Sequence, residues 1–187
     1  RYRNLDRDNV YYDENVLRMV SNYHNTFTRL ANSLSRESKA LTAEAKLLAD
    51  SLATGNVNPA LVADLETRQQ LLQAQADTAK SRAIEALEFA EEKFPYTKVA
   101  PEPYLVARNA ILWDDLGLPE KTEEYFEWAR YRSVETLRYY QESGRRFGRK
   151  QQYAFPLTMV QRYYAQQGKQ EELQALSEDM RYLGLIK

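Results

Sequence analysis

Cysteine is missing from this chain, which excludes disulfides, thiolate zinc sites and cysteine nucleophiles. Histidine occurs once, at His24. A helical metal site needs a second ligand one turn away, and the flanking positions are Val20 and Thr28. Glycine and proline number six each in 187 residues, too few for the turn punctuation of an all-β domain. A net charge of −1 excludes a general electrostatic grip on nucleic acid or an anionic membrane. No run approaches the roughly 20 apolar residues a membrane helix requires, and no signal peptide is visible. There is no phosphate-binding glycine loop, no HExxH and no nucleophile elbow. Together these absences predict a chain with no catalytic residue, no cofactor and no metal site.

What remains is 43% hydrophobic and strongly periodic. Residues 1–12 show no helical period and read as a lead-in. The chain starts at Arg1 rather than Met, so it reads as a fragment, with targeting signals expected upstream. Asp13 suits an N-cap, with Glu14 near the positive end of the helix. Val16, Leu17, Val20, Tyr23, Phe27, Leu30 and Leu34 then recur at three- and four-residue steps, one stripe of an amphipathic helix. The period continues through Leu41, Ala45, Leu48 and Leu52 without Gly or Pro. Thr54–Pro59 (TGNVNP) breaks it with turn chemistry. A second long helix follows from about Ala60 to Phe94, rich in good helix formers, and Pro95 stops it.

After a linker with Pro95, Pro101 and Pro103, helices are predicted over Tyr104–Leu116, Glu120–Glu142, about Arg149–Gln167 and Gln170–Leu183. Gly117, Gly168 and Gly184 suit the residue after a helix and Pro119 suits a first turn. Pro156 either kinks the fifth helix or marks its true start.

Successive helix pairs invite a search for repeats. A tetratricopeptide unit packs helix A on helix B with small residues at the crossing. Ala83, Leu87, Ala90 and Pro95 fit a helix B half. Leu116, Gly117 and Ala129 fit a second unit, and Tyr164 and Gly168 a third, where Met180 takes the Ala position. The fold class predicted is all-α, with antiparallel helix hairpins in a right-handed tetratricopeptide-like array. Residues 13–187 form one helical repeat domain, and 37–79 extend the first two helices into a long projecting hairpin. Ala43, Ala45, Ala49, Ala74, Ala76 and Ala79 would let those helices approach closely.

Carboxylates pair at Asp13/Glu14, Glu91/Glu92, Asp114/Asp115 and Glu123/Glu124. Neighbours on one helix point about 100° apart, so these pairs read as solvated faces. The strongest local bias is basic and aromatic: Arg130, Tyr131, Arg138, Tyr139, Arg145, Arg146, Arg149 and Lys150. This is the candidate interaction surface. Such residues can grip phosphate or an anionic glycan; a helix end favouring cations, with Tyr packed between repeats, is the plainer account of them. Fourteen Tyr suit protein and carbohydrate surfaces alike.

YYDEN at Tyr11–Asn15, the first helix through Leu34, and SRAIEALEFAEEKFPYTKVAPEPY with the helix pair after it resemble a known arrangement. It is the C-terminal soluble region of a bacterial family of large multi-pass membrane proteins. The N-terminal membrane domain of that family is uncharacterised and similar to polytopic sugar transferases with lipid-linked donors, protein O-mannosyltransferase-like. The resemblance omits about residues 37–79. It implies that any transferase chemistry sits in a membrane part outside this chain, to which residues 1–12 lead, and that this domain lies on the periplasmic face. The function expected is non-catalytic protein–protein interaction or scaffolding, with a protein or another part of the parent chain as partner. The alternative is an accessory domain contacting the acceptor or glycan. A third reading is a brace or oligomerisation element. No nucleic-acid partner is expected.

Overall fold

The computed structural model describes residues 13–55, 58–99, 101–144, 148 and 150–187. The described residues form six α-helices and no strand: α1 Glu14–Ala53, α2 Val62–Lys93, α3 Pro103–Asp115, α4 Pro119–Glu142, α5 Lys150–Gln167 and α6 Gln170–Tyr182. The chain is all-α, as its low Gly and Pro content predicts. The described backbone divides into two units, one holding residues 13–22 with those from Phe94 to Lys187 and the other Tyr23–Lys93.

Helix boundaries follow local chemistry. Asp13 caps α1, its Oδ1 accepting from the backbone N–H of Asn15 at 2.8 Å and Val16 at 2.9 Å, which satisfies two donors the first turn leaves open. α1 then runs unbroken to Ala53, because nothing in that stretch removes a donor or demands positive φ. Asn58 accepts from Ala60 N–H at 3.0 Å and starts a 3-10 turn, Pro59–Leu61, that leads into α2.

Within Tyr23–Lys93, the ring of Phe27 of α1 lies tilted against Phe89 of α2, 5.2 Å between centroids. Glu44 pairs with Arg68 at 3.1 Å. Residue numbers rise along one helix as they fall along the other, so the helices run antiparallel there. Buried positions alternate by three and four: Thr28, Ala31, Ser35, Ser38 and Ala45 on α1, and Leu72, Ala76, Ala79, Ala83, Ala86 and Ala90 on α2. That is the spacing of a coiled-coil seam filled with small side chains.

In the other unit α3 packs against α4, α5 packs against both, and α6 packs against α5. The α3–α4 turn is a Schellman stop: Leu118 N–H reaches Trp113 C=O at 3.0 Å and Gly117 N–H reaches Asp114 C=O at 2.9 Å. Gly117 takes φ +77° there, a conformation that a Cβ disfavours. The same pair of bonds closes α5 around Gly168 and α6 around Gly184.

The core of this unit is aromatic and aliphatic. Trp113, Phe126, Leu157, Val160 and Tyr164 are fully buried, with Ala107, Ala110 and Ala129 where helices approach closely. Trp113 meets Tyr125 edge-on at 6.1 Å and Phe126 stacks on Tyr163 at 4.7 Å. Pro156 lies inside α5 and is fully buried. It has no N–H, so the carbonyl of Gln152 lacks the donor an uninterrupted helix would supply.

Candidate functional site

The basic stretch of α4 faces an acid. Arg130 and Arg138 stand eight residues apart, about two turns, on one side of the helix, and both reach Asp179 of α6. The distances are 3.4 Å from Arg130 and 3.3 Å from Arg138. Arg130 also lies 4.0 Å from Glu127, and Arg138 3.6 Å from Glu135. Tyr164 of α5 joins them: its hydroxyl donates to Glu127 and lies close enough to Arg130 to influence its charge. Burial, then the hydrogen bond and charge of Glu127, push the Tyr164 hydroxyl well above the usual phenol range. Burial alone would lower the Arg130 guanidinium, but the neighbouring Tyr164, the charge of Glu127 and the hydrogen bond to Asp179 raise it. Both groups are thereby held in the protonated form. The cleft between these residues has a volume near 300 Å³ and includes Tyr131, Val134 and Glu135 in its wall. Two cations among three carboxylates leave no surplus positive charge for an anion.

Further links tie α6 to α4. Gln141 donates to the Tyr182 carbonyl at 2.8 Å, and the Tyr182 hydroxyl donates to Glu142 at 3.2 Å. The Arg138 guanidinium lies 5.9 Å from the Tyr182 ring centroid. Lys150 of α5 donates to the Leu183 carbonyl at 3.2 Å, a cation at the negative end of α6. Lys169 pairs with Glu123, which raises the Lys169 ammonium above its ordinary value.

Of the eight candidate surface residues, the structure therefore brings Arg130, Tyr131 and Arg138 to one cleft and turns Lys150 to the end of α6. Tyr131 is 62% exposed and Tyr139 54%. Arg145, Arg146 and Arg149 lie outside the described residues. His24 is buried in α1, where Thr28 Oγ1 donates to its carbonyl at 2.8 Å. The described residues contain no group of three His, Cys, Asp or Glu able to share a metal. No described helix is long and apolar enough to cross a membrane.

A second cleft, near 750 Å³, opens between the start of α3 and the first half of α5. Tyr104 and Phe155 form its aromatic wall, 5.7 Å apart and tilted by 56°. Glu102, Gln151 and Gln152 supply the polar atoms. Sequence reading passed over this site. Its only signals are an acid between Pro101 and Pro103 and an amide pair ahead of Pro156, and neither forms a charge run or motif.

Comparison with protein-family models, with curated proteins and with solved structures gives no match for this chain.

Proposed function

We propose that the chain is a non-catalytic helical-repeat domain for protein–protein interaction or scaffolding, the soluble C-terminal part of a membrane glycosyltransferase-like protein held on the periplasmic side. The observation that carries the repeat reading is the packing of α5 against both α3 and α4, with α6 on α5. Each new pair resting on the previous one is how a tetratricopeptide-like array grows, and the small per-pair rotation makes an extended groove. The shared Schellman stops and the fully buried Ala107, Ala110 and Ala129 support the same reading. On it, α3 and α5 are both first helices of their pairs, and the cleft walled by Tyr104 and Phe155 is the binding groove. The small-residue seam of α1 and α2 supports residues 37–79 as a helical extension of the first pair.

The experiment is expression of the parent protein with and without residues 13–187, followed by a sugar-transfer assay and quantitative mass spectrometry of co-purifying proteins. A binding module predicts loss of specific partners with transfer on a simple acceptor retained. Loss of transfer with an unchanged partner set refutes it and favours the accessory catalytic role.

A further inference from the structure

We infer that the α1–α2 hairpin dimerises: one apolar flank of its seam takes the same flank of a second copy of this chain, turned end for end. The inference makes no use of the α3–α5 groove, so it stands or falls apart from the function proposed above. The positions beside a seam of this kind ordinarily carry charged or polar side chains. On α1 one flank obeys, with Asn25, Asn32, Lys39 and Lys46 at seven-residue steps. The other does not: Phe27, Leu34, Leu41 and Leu48 recur at the same step and are half-buried. Leu30, one turn past Phe27 on that side, is exposed. α2 borders the same flank, because its exposed Phe89 meets Phe27 and its Arg68 reaches Glu44. Large apolar groups are thus left outside a seam filled mainly with Ala and Ser, and a contiguous apolar patch marks an interaction surface. From Phe27 to Leu48 the face runs about 30 Å. Across two packed helices it is about 20 Å wide. Each copy therefore buries roughly 600 Å², above the roughly 500 Å² a side that a specific interface needs.

Charge selects the occupant and its direction. The tip half of the hairpin, residues 41–73, holds four acids and two bases. The base half, 27–40 with 74–89, holds five bases and four acids. Copies laid end for end set the acidic half on the basic one, whereas copies laid the same way set acid on acid. The individual groups agree. Glu37, Asp64 and Arg82 are exposed and have no ion-pair partner among the described residues. An interface about a two-fold axis is reciprocal: if one residue meets another, the reverse contact forms too. The Phe27–Phe89 and Glu44–Arg68 contacts put Leu41 about level with Leu72 and Gln73 of α2. Gln73 is also midway between Asp64 and Arg82. A two-fold axis lying in the face at that level, across the helices, sets Leu41 against Leu41 and Leu34 against Leu48. It also brings Arg82 of each copy opposite Asp64 of the other. Glu37 comes beside the Glu44–Arg68 pair of the second copy, where the guanidinium serves both carboxylates. Glu85 falls one turn beyond Arg82, beside the same guanidinium. The apolar and the ionic matches therefore fix one centre from different residues.

The test measures the mass of the whole chain by sedimentation equilibrium over a wide concentration range at low salt. The expected result is a monomer–dimer equilibrium. Asp64→Arg and Arg82→Asp each weaken it by about tenfold, because each sets like charges together twice per dimer, and the double variant restores it. Both residues are exposed, and circular dichroism verifies that the variants fold. The chain has no cysteine, so single introduced thiols report the register. Under mild oxidation Leu41→Cys is expected to form a covalent dimer and Lys39→Cys to remain single. Leu48→Cys alone also remains single, but crosslinks when mixed with Leu34→Cys. A chain that is monomeric at every concentration overturns the inference. A dimer with no Leu41→Cys crosslink, or one indifferent to both charge variants, overturns it equally. Monomers that float with phosphatidylcholine vesicles, and cease to do so in Leu41→Glu, give the face to a lipid surface and overturn it as well.

Discussion

Replacing Ser133 by Ala is expected to stabilise the α3–α6 unit. Ser133 lies mid-helix in α4 with 0% exposure, and its hydroxyl has no hydrogen-bond partner among the described residues. Other helix hydroxyls in this chain avoid that state by donating to the carbonyl four residues back. Thr122 does so to Leu118 at 3.0 Å and Ser177 to Leu173 at 2.7 Å. A buried hydroxyl left unpaired costs about 1–3 kcal/mol. Ala adds about 0.5 kcal/mol of helix propensity over Ser, and the lost oxygen opens only a small void. The net expectation is a gain of about 1–2 kcal/mol, which runs against the destabilising average of point mutations. Both tryptophans, Trp113 and Trp128, belong to this unit, so urea unfolding followed by tryptophan fluorescence reports on it alone. Thr122→Ala is the control: it deletes a satisfied hydroxyl with a methyl group and should cost about 1–2 kcal/mol. A Ser133→Ala midpoint below wild type at unchanged slope would show that the hydroxyl has a partner and refute the reasoning.

Asp179→Asn should cost about 1–2 kcal/mol, because it leaves Arg130 and Arg138 sharing a site without their common carboxylate; thermal unfolding in low and high salt should show the loss shrinking as salt screens the pair. Tyr164 keeps its proton longer folded than unfolded, so its contribution is whole below the ordinary phenol pKa near 10. It then falls as pH rises, with a slope of up to about 1.4 kcal/mol per pH unit; Tyr164→Phe should lose that slope in urea titrations above pH ~10. Ala76→Leu, placed in the α1–α2 seam, should overpack it and cost about 1–3 kcal/mol, seen by far-ultraviolet circular dichroism on heating, whereas Leu71→Lys, on the 58% exposed face, should change little.

Most of the fold was legible because each helix end carries its own chemical mark. Asp13, Thr54–Pro59, Gly117, Pro119 and Gly168 act within a few residues of themselves, so local reading places them to within a residue or two of the observed boundaries. Pro156 was ambiguous for the opposite reason. A proline can start a helix or sit bent inside one, and the choice depends on packing from α3 and α4 that local sequence does not contain. The division at Asn22 and Tyr23 was equally hidden, since α1 crosses it without any break in periodicity.

The candidate site was less legible, and the arginines show why. Arg130 and Arg138 looked like a surplus of charge because the residue that balances them, Asp179, lies 41 positions beyond the nearer one. A charge run in sequence measures density along the chain, whereas availability depends on what the fold brings across from another helix. Glu102 is the converse: one carboxylate between two prolines has no sequence prominence, yet it lines an open cleft between α3 and α5 without an ion-pair partner among the described residues. Binding chemistry therefore follows the uncommitted group rather than the abundant one. In this chain the basic groups Arg130 and Arg138 of α4 are spent on fastening α6 through Asp179, so a run of like charge along one helix marks an intramolecular link rather than an open surface.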